Sequence, residues 1–78
     1  MVTTLKIEFY KKRIIAKCQH DFNEYVIVMG KPMIFASIAD AKRAINNKDT
    51  KHIIEDDKWA VELYQKSAQS VTYKLLPL

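Results

Sequence analysis

One continuous stretch, residues 23–47 (NEYVIVMGKPMIFASIADAKRAINN), limits what this chain can fold into, because its local signals agree. Tyr25-Val26-Ile27-Val28-Met29 is β-branched and aromatic, as strands prefer, and too short for a stable helix. Gly30-Lys31-Pro32 reads as the turn that closes it. Gly30, the only glycine, can take a positive φ without steric cost, and Pro32 fixes φ and has no N–H to donate. Met33-Ile34-Phe35-Ala36 resumes an apolar strand, so the pattern predicts a hairpin. Ser37 then stands where a helix N-cap would, with Asp40 in the position of the capping-box acid. At about 100° per residue, Ile38, Ala41, Ala44 and Ile45 share one helical face, while Asp40, Arg43 and Asn47 point the other way. Asn46-Asn47 is a natural stop, since Asn tolerates the left-handed conformation. A β-hairpin with a helix packed across it is the expected result.

The flanks extend this scaffold. Leu5-Lys6-Ile7-Glu8-Phe9-Tyr10 alternates with period two, which predicts a half-buried strand with Leu5, Ile7 and Phe9 facing the core. Lys11-Lys12 interrupts the alternation and Arg13-Ile14-Ile15-Ala16-Lys17-Cys18 resumes it. We read the lysine pair as a turn rather than a bend in one long strand, although it lacks the Asn, Asp or Gly of an ideal two-residue hairpin. Gln19-His20-Asp21-Phe22-Asn23 is the next connection, with Phe22 expected to anchor it to the core edge. Beyond Asn47 come a charged linker (residues 48–52), the apolar pair Ile53-Ile54 and the acids Glu55-Asp56-Asp57, which favour a helix N-terminus. A second helix is predicted from Asp56 or Asp57 to Gln69. Lys58, Glu62, Gln65, Lys66 and Gln69 form its polar arc; Trp59, Ala60, Val61, Leu63, Tyr64 and Ala68 cover more of the wheel than one sheet face needs. Val71, Tyr73 and Leu75 alternate again, predicting a last edge strand ended by Pro77. The alternative is an apolar tail that orders only in a dimer. The fold class is therefore α+β: an antiparallel meander of three to four strands packed against one helix, then a second helix and a C-terminal edge strand.

Seventy-eight residues make one domain, and a chain of this size buries only about 60% of its unfolded surface. A hydrophobic fraction of 49% against 28% charged residues argues against disorder. Cys18 is the only cysteine, so no disulfide within the chain can form, which favours a reducing compartment. The first ten residues lack the basic start and apolar run of a signal peptide, and the longest strictly apolar run, Tyr25 to Met29, is far short of a membrane span. The cytoplasm is the expected location. The net charge of +4 is uneven: residues 1–51 hold ten Lys/Arg against five Asp/Glu, and residues 52–78 hold three against four. The first part offers a basic surface to nucleic acid or to an acidic protein.

The sequence assembles no set of catalytic, cofactor or metal-ligating residues. Cys18 and His20 would share a strand face, but one cysteine and two histidines fall short of a structural zinc set, and a Cys-His pair lacks a third group. Glu55-Asp56-Asp57 is explained by helix capping. A single glycine rules out a glycine-rich phosphate loop. An enzyme is not expected.

Two surfaces remain. Lys11-Lys12-Arg13 beside Phe9-Tyr10 is the best basic-aromatic cluster, and Lys42 and Arg43 on the first helix extend it. Such a ribbon can enter a DNA groove or stack bases. Trp59, Tyr64 and Tyr73 form the second surface, of residue types enriched at interface hot spots. The segment YVIVMGKPMIFASIADAKRAI resembles small uncharacterised β-hairpin-plus-helix proteins of bacteria and their phages. The resemblance covers about a third of the chain; it implies a scaffold and carries over no functional residue. The expected function is that of a small non-enzymatic accessory protein that binds a macromolecular partner, such as a phage-type inhibitor of a host defence system (anti-CRISPR or anti-restriction). The alternatives are a small DNA-binding protein using a basic sheet face and a self-associating structural module. The partner is then a protein or nucleoprotein complex, nucleic acid itself, or a second copy of the chain, with no membrane involved and no cofactor.

Overall fold

Period-two alternation in the first half of the chain builds four strands. A computed structural model, which describes residues 1–47 and 58–76, joins them into one antiparallel sheet. The strands are β1 (Val2–Tyr10), β2 (Arg13–His20), β3 (Asn23–Val28) and β4 (Lys31–Phe35), in spatial order β1-β2-β3-β4. Helices α1 (Ile38–Asn47) and α2 (Lys58–Leu75) follow. The α+β meander is thus a four-stranded one. The charged linker with His52, the Ile53-Ile54 pair, the acidic run expected to start the second helix, and Pro77 lie outside the described residues.

The two helices cover opposite faces of the sheet. Alternation sends Ile15, Val26, Val28, Met33 and Phe35 to one face, against Ala41 and Ala44 of α1. It sends Ala16, Cys18, Tyr25 and Ile27 to the other, against Leu63 and Val71 of α2. Strands β2 and β3 are inner strands buried on both faces, which is why they read as near-continuous apolar runs. The α1 start is as expected: the Asp40 amide donates to Ser37 Oγ at 3.2 Å and the Ala41 amide to the Ser37 carbonyl at 3.1 Å. The Asp40 carboxylate, however, turns to Arg43 Nη1 at 3.6 Å.

The C-terminal edge strand is not formed: residues 70–75 continue α2. Leu63, Ser67 and Val71 are buried at a spacing of four, so the helical period prevails over the apparent alternation of Val71, Tyr73 and Leu75. A serine in the middle of this stripe hides it from a hydrophobicity reading. Polar contacts recur along α2. Tyr64 Oη accepts the Gly30 amide at 2.9 Å, Tyr25 Oη donates to Ser67 Oγ, Thr4 Oγ1 and Ser70 Oγ are 2.8 Å apart, and Lys74 Nζ donates to the Thr4 carbonyl at 3.0 Å. The helix therefore runs from the β3–β4 turn across β3 to the N-terminal half of β1.

That path decides which strand residues are covered. Ile7 packs against the α2 side of the core, but Phe9, near the far end of the outer strand β1, is 71% exposed. Leu5 is 40% exposed, since the β1–β2 register shifts between Thr4 and Lys6. Phe22 does not anchor its loop; it sits on a two-residue turn beside Asp21 (φ 55°) and is 98% exposed. The β3–β4 turn falls on Met29-Gly30, with Gly30 at φ 89°, one residue earlier than expected. Pro32 lies within β4, an outer strand, where a residue without an N–H is tolerated.

Candidate functional site

The β1–β2 connection is a two-residue turn at Lys11-Lys12, with φ of 47° and 64°. Positive φ at both central residues matches the type I′ geometry that Asn-Gly normally fills. For lysine this region is disfavoured by Cβ contact with the backbone carbonyl. Both lysines are exposed at the tip. Arg13, the first residue of β2, reaches across the sheet end: its Nη1 lies 3.8 Å from where a Cβ on Gly30 would be, so the bare glycine leaves the guanidinium room beside the β3–β4 turn. Lys31 begins β4 at the same end. Four cations, Lys11, Lys12, Arg13 and Lys31, thus gather at one end of the sheet across roughly 14 Å, three strand spacings.

Tyr10 is held under this end rather than offered to a ligand. Its hydroxyl donates to Asn46 Oδ1 at 3.1 Å, and the Lys11 and Lys42 ammonium groups lie 5.5 and 5.1 Å from its ring centroid. Lys11 Nζ also donates to Asn46 Oδ1. Asn46, on the last turn of α1, is the residue that locks hairpin to helix, and nothing in its sequence context announces that. Lys42 lies 2.8 Å from Glu8 Oε2, an oxygen shielded from solvent, and holds that carboxyl below its ordinary pKa by hydrogen bonding and charge. Arg43 is countered by Asp40. Lys42 and Arg43 are therefore adjacent to the basic end, with their charges partly balanced within the chain.

The second expected surface divides. Trp59 is 67% exposed and Tyr73 80% exposed, two heptads apart and within about 40° of each other around α2. Tyr64 is half-buried and occupied by the Gly30 amide. The structure places the Trp59–Tyr73 flank on α2, which packs on the opposite sheet face from α1. An open groove of about 470 Å³ adjoins Tyr73, between residues 2–4 of β1 and the α2 end at Ser70, Lys74 and Leu76.

Cys18 and His20 do share a sheet face, but Cys18 is fully buried, and burial pushes its thiol pKa up. His20 Nδ1 is 3.4 Å from Asp21 Oδ2 at the exposed end of the strand. Among the described residues no three His, Cys, Asp or Glu side chains cluster as metal ligands would, and no helix is long and apolar enough to cross a membrane. No protein-family model matches the chain, nor does any curated protein or solved structure.

Phe9, which the alternation expects to face the core, is instead the aromatic of the basic cluster left exposed, while Tyr10 is engaged within the chain. It shares the sheet face of Ile7, and its exposure follows from where α2 crosses the sheet, which no local pattern encodes.

Proposed function

We propose that this protein is a non-catalytic binding module that docks on a macromolecular partner, a protein or nucleoprotein complex, through the basic end of its sheet. The observation that carries this reading is the lysine pair at Lys11-Lys12, in backbone conformations lysine disfavours, beside Arg13 and Lys31. Strain kept at an exposed, charged turn is a feature of functional sites. The structure holds the cations on rigid elements, with Tyr10 and Asn46 bracing the turn against α1. A fully buried, unpaired cysteine supports a reducing compartment such as the cytoplasm. Within this reading, the specific role put forward is a phage-type inhibitor of a host defence system, on the strength of the surplus apolar surface that α2 exposes at Trp59 and Tyr73.

The test is affinity capture from bacterial lysate with the wild-type protein and Lys12→Glu/Arg13→Glu. A stoichiometric partner held by the wild type and lost by the charge-reversed variant is expected. A partner retained equally by both, or none at all, overturns the reading. A plasmid-interference or restriction assay addresses the inhibitor role, where unchanged interference in the presence of the protein removes it. The exposed Trp59–Tyr73 flank favours self-association as the second reading, and sedimentation giving a strict monomer at high concentration eliminates that.

A further inference from the structure

The ends of the two hairpins are staggered. Val28, the last residue before the β3–β4 turn, pairs with Ile15, and the Met29 amide donates to the Ile14 carbonyl at 2.9 Å, whereas the β1–β2 hairpin closes two residues further on at the Tyr10–Arg13 pair. The Lys11-Lys12 tip therefore overtops the β3–β4 turn by about two residues, roughly 7 Å. That still falls short of the floor of a duplex major groove, which is about 8.5 Å deep. Helices cover both sheet faces, so neither face can lie in a groove. What this end does offer is a cationic rim with an exposed aromatic ring at its corner. Phe9 stands two residues before the tip, on the face that α2 leaves uncovered there. A ring beside cations is the pairing that single-stranded nucleic acid needs: a flat apolar surface for an unstacked base, and positive charge for the phosphates on either side.

Resting on the basic-end reading above, we propose that the molecule met there is single-stranded nucleic acid, with one base stacked on Phe9 and the flanking phosphates taken by Lys12 and Arg13, the Lys11 ammonium being held by Asn46 and Tyr10. The strand passes over the hairpin tip from the Phe9 face toward Arg13 at the β3–β4 turn. Paired bases cannot make this contact without leaving their stack, so the site prefers a single strand to a duplex of the same sequence. DNA and RNA share the chemistry used, an unstacked base between phosphodiesters.

Fluorescence anisotropy with labelled oligo-dT and oligo-U of about 15 nucleotides, and a duplex of equal length, tests this. Two neutralised phosphates give a slope of log K on log salt of about −1.4 for single strands, roughly a 7-fold loss between 50 and 200 mM salt. Phe9→Ala is expected to weaken single-strand binding about ten-fold or more at unchanged slope, since stacking and charge act separately. Phe9→Trp is expected to restore it. Lys12→Glu is expected to make the slope shallower by about one. Phe9 is mostly exposed, so these variants should melt as the wild type does, and circular dichroism checks that they fold. Three results overturn the inference: duplex bound as tightly as single strand, Phe9→Ala binding like the wild type, or no oligonucleotide bound at low salt. If capture from lysate still depends on Lys12 and Arg13 when oligonucleotides fail to bind, the partner is an acidic protein surface, and only the basic-end reading survives.

Discussion

The Lys12 position allows stability and binding to be separated. Lys12 is exposed, has φ 64°, and sits second in a two-residue hairpin turn. A residue with a Cβ in the left-handed region costs roughly 1–2 kcal/mol. Glycine removes that cost but brings about 0.5–1 kcal/mol of extra chain entropy to be lost on folding. Lys12→Gly should therefore gain about 0.5–1 kcal/mol, or roughly 2–8 °C in the melting midpoint of a domain this small. Lys12→Ala keeps the Cβ and loses only the charge, so its melting midpoint should stay near that of the wild type. Both variants should lose the same increment of anionic-partner binding, because both lack the ammonium group. Thermal unfolding by circular dichroism, paired with the binding assay, reads the two effects on the same samples. If Lys12→Gly melts at or below the wild-type temperature, the turn is not strained by its lysine. If it is stabilised and binds unchanged, charge at the tip is not what holds lysine in this turn.

Three further outcomes follow from the packing. Ser67→Ala should cost about 1–3 kcal/mol, because it leaves the buried Tyr25 hydroxyl without an acceptor, and Tyr25→Phe about 0.5–1.5 kcal/mol. The double variant should fall short of their sum by at least about 0.5 kcal/mol in denaturant unfolding, and strict additivity would mean that the two hydroxyls do not interact. Lys42 lowers the Glu8 pKa, so the pair's contribution is present above the ordinary carboxyl value of 4.5 and is lost as pH falls through the lower folded-state value. Glu8→Gln should remove that acid-side loss, and an unaltered profile of melting midpoint against pH would disprove the coupling. Cys18 should resist thiol reagents in the native protein and react at the rate of unfolding, because it is buried and burial raises its pKa; rapid native labelling would refute this.

Which features the sequence discloses follows from how local they are. The inner strands and α1 are legible because each residue's role is fixed within a few positions: the YVIV run by burial on both faces, and the helix by Ser37 and the Ala41-Ala44 stripe. The strand expected at the C-terminus fails because its alternation has only three apolar positions, whereas the Leu63-Ser67-Val71 stripe that overrides it begins a full two turns earlier. At the candidate site, Lys11, Lys12 and Arg13 are adjacent in sequence and are found together, as expected. The Asn46 brace joins residues 36 positions apart, and the exposure of Phe9 depends on the route of α2. Both are properties of tertiary packing.

The polar contacts along α2 bear on how the protein comes apart. Only Leu63 and Val71 are large among its buried residues Ala60, Leu63, Ser67 and Val71, so apolar packing does little to fix the helix along its axis. Hydroxyl partners at Tyr64, Ser67 and Ser70, with Lys74 on a backbone carbonyl, act as detents: moving by a fraction of a turn unseats all of them together. The helix thus has one seated position rather than a range of them. Its amides and those of β1 should accordingly lose protection against hydrogen exchange as a single unit, although residues 11–57 separate the two elements in sequence.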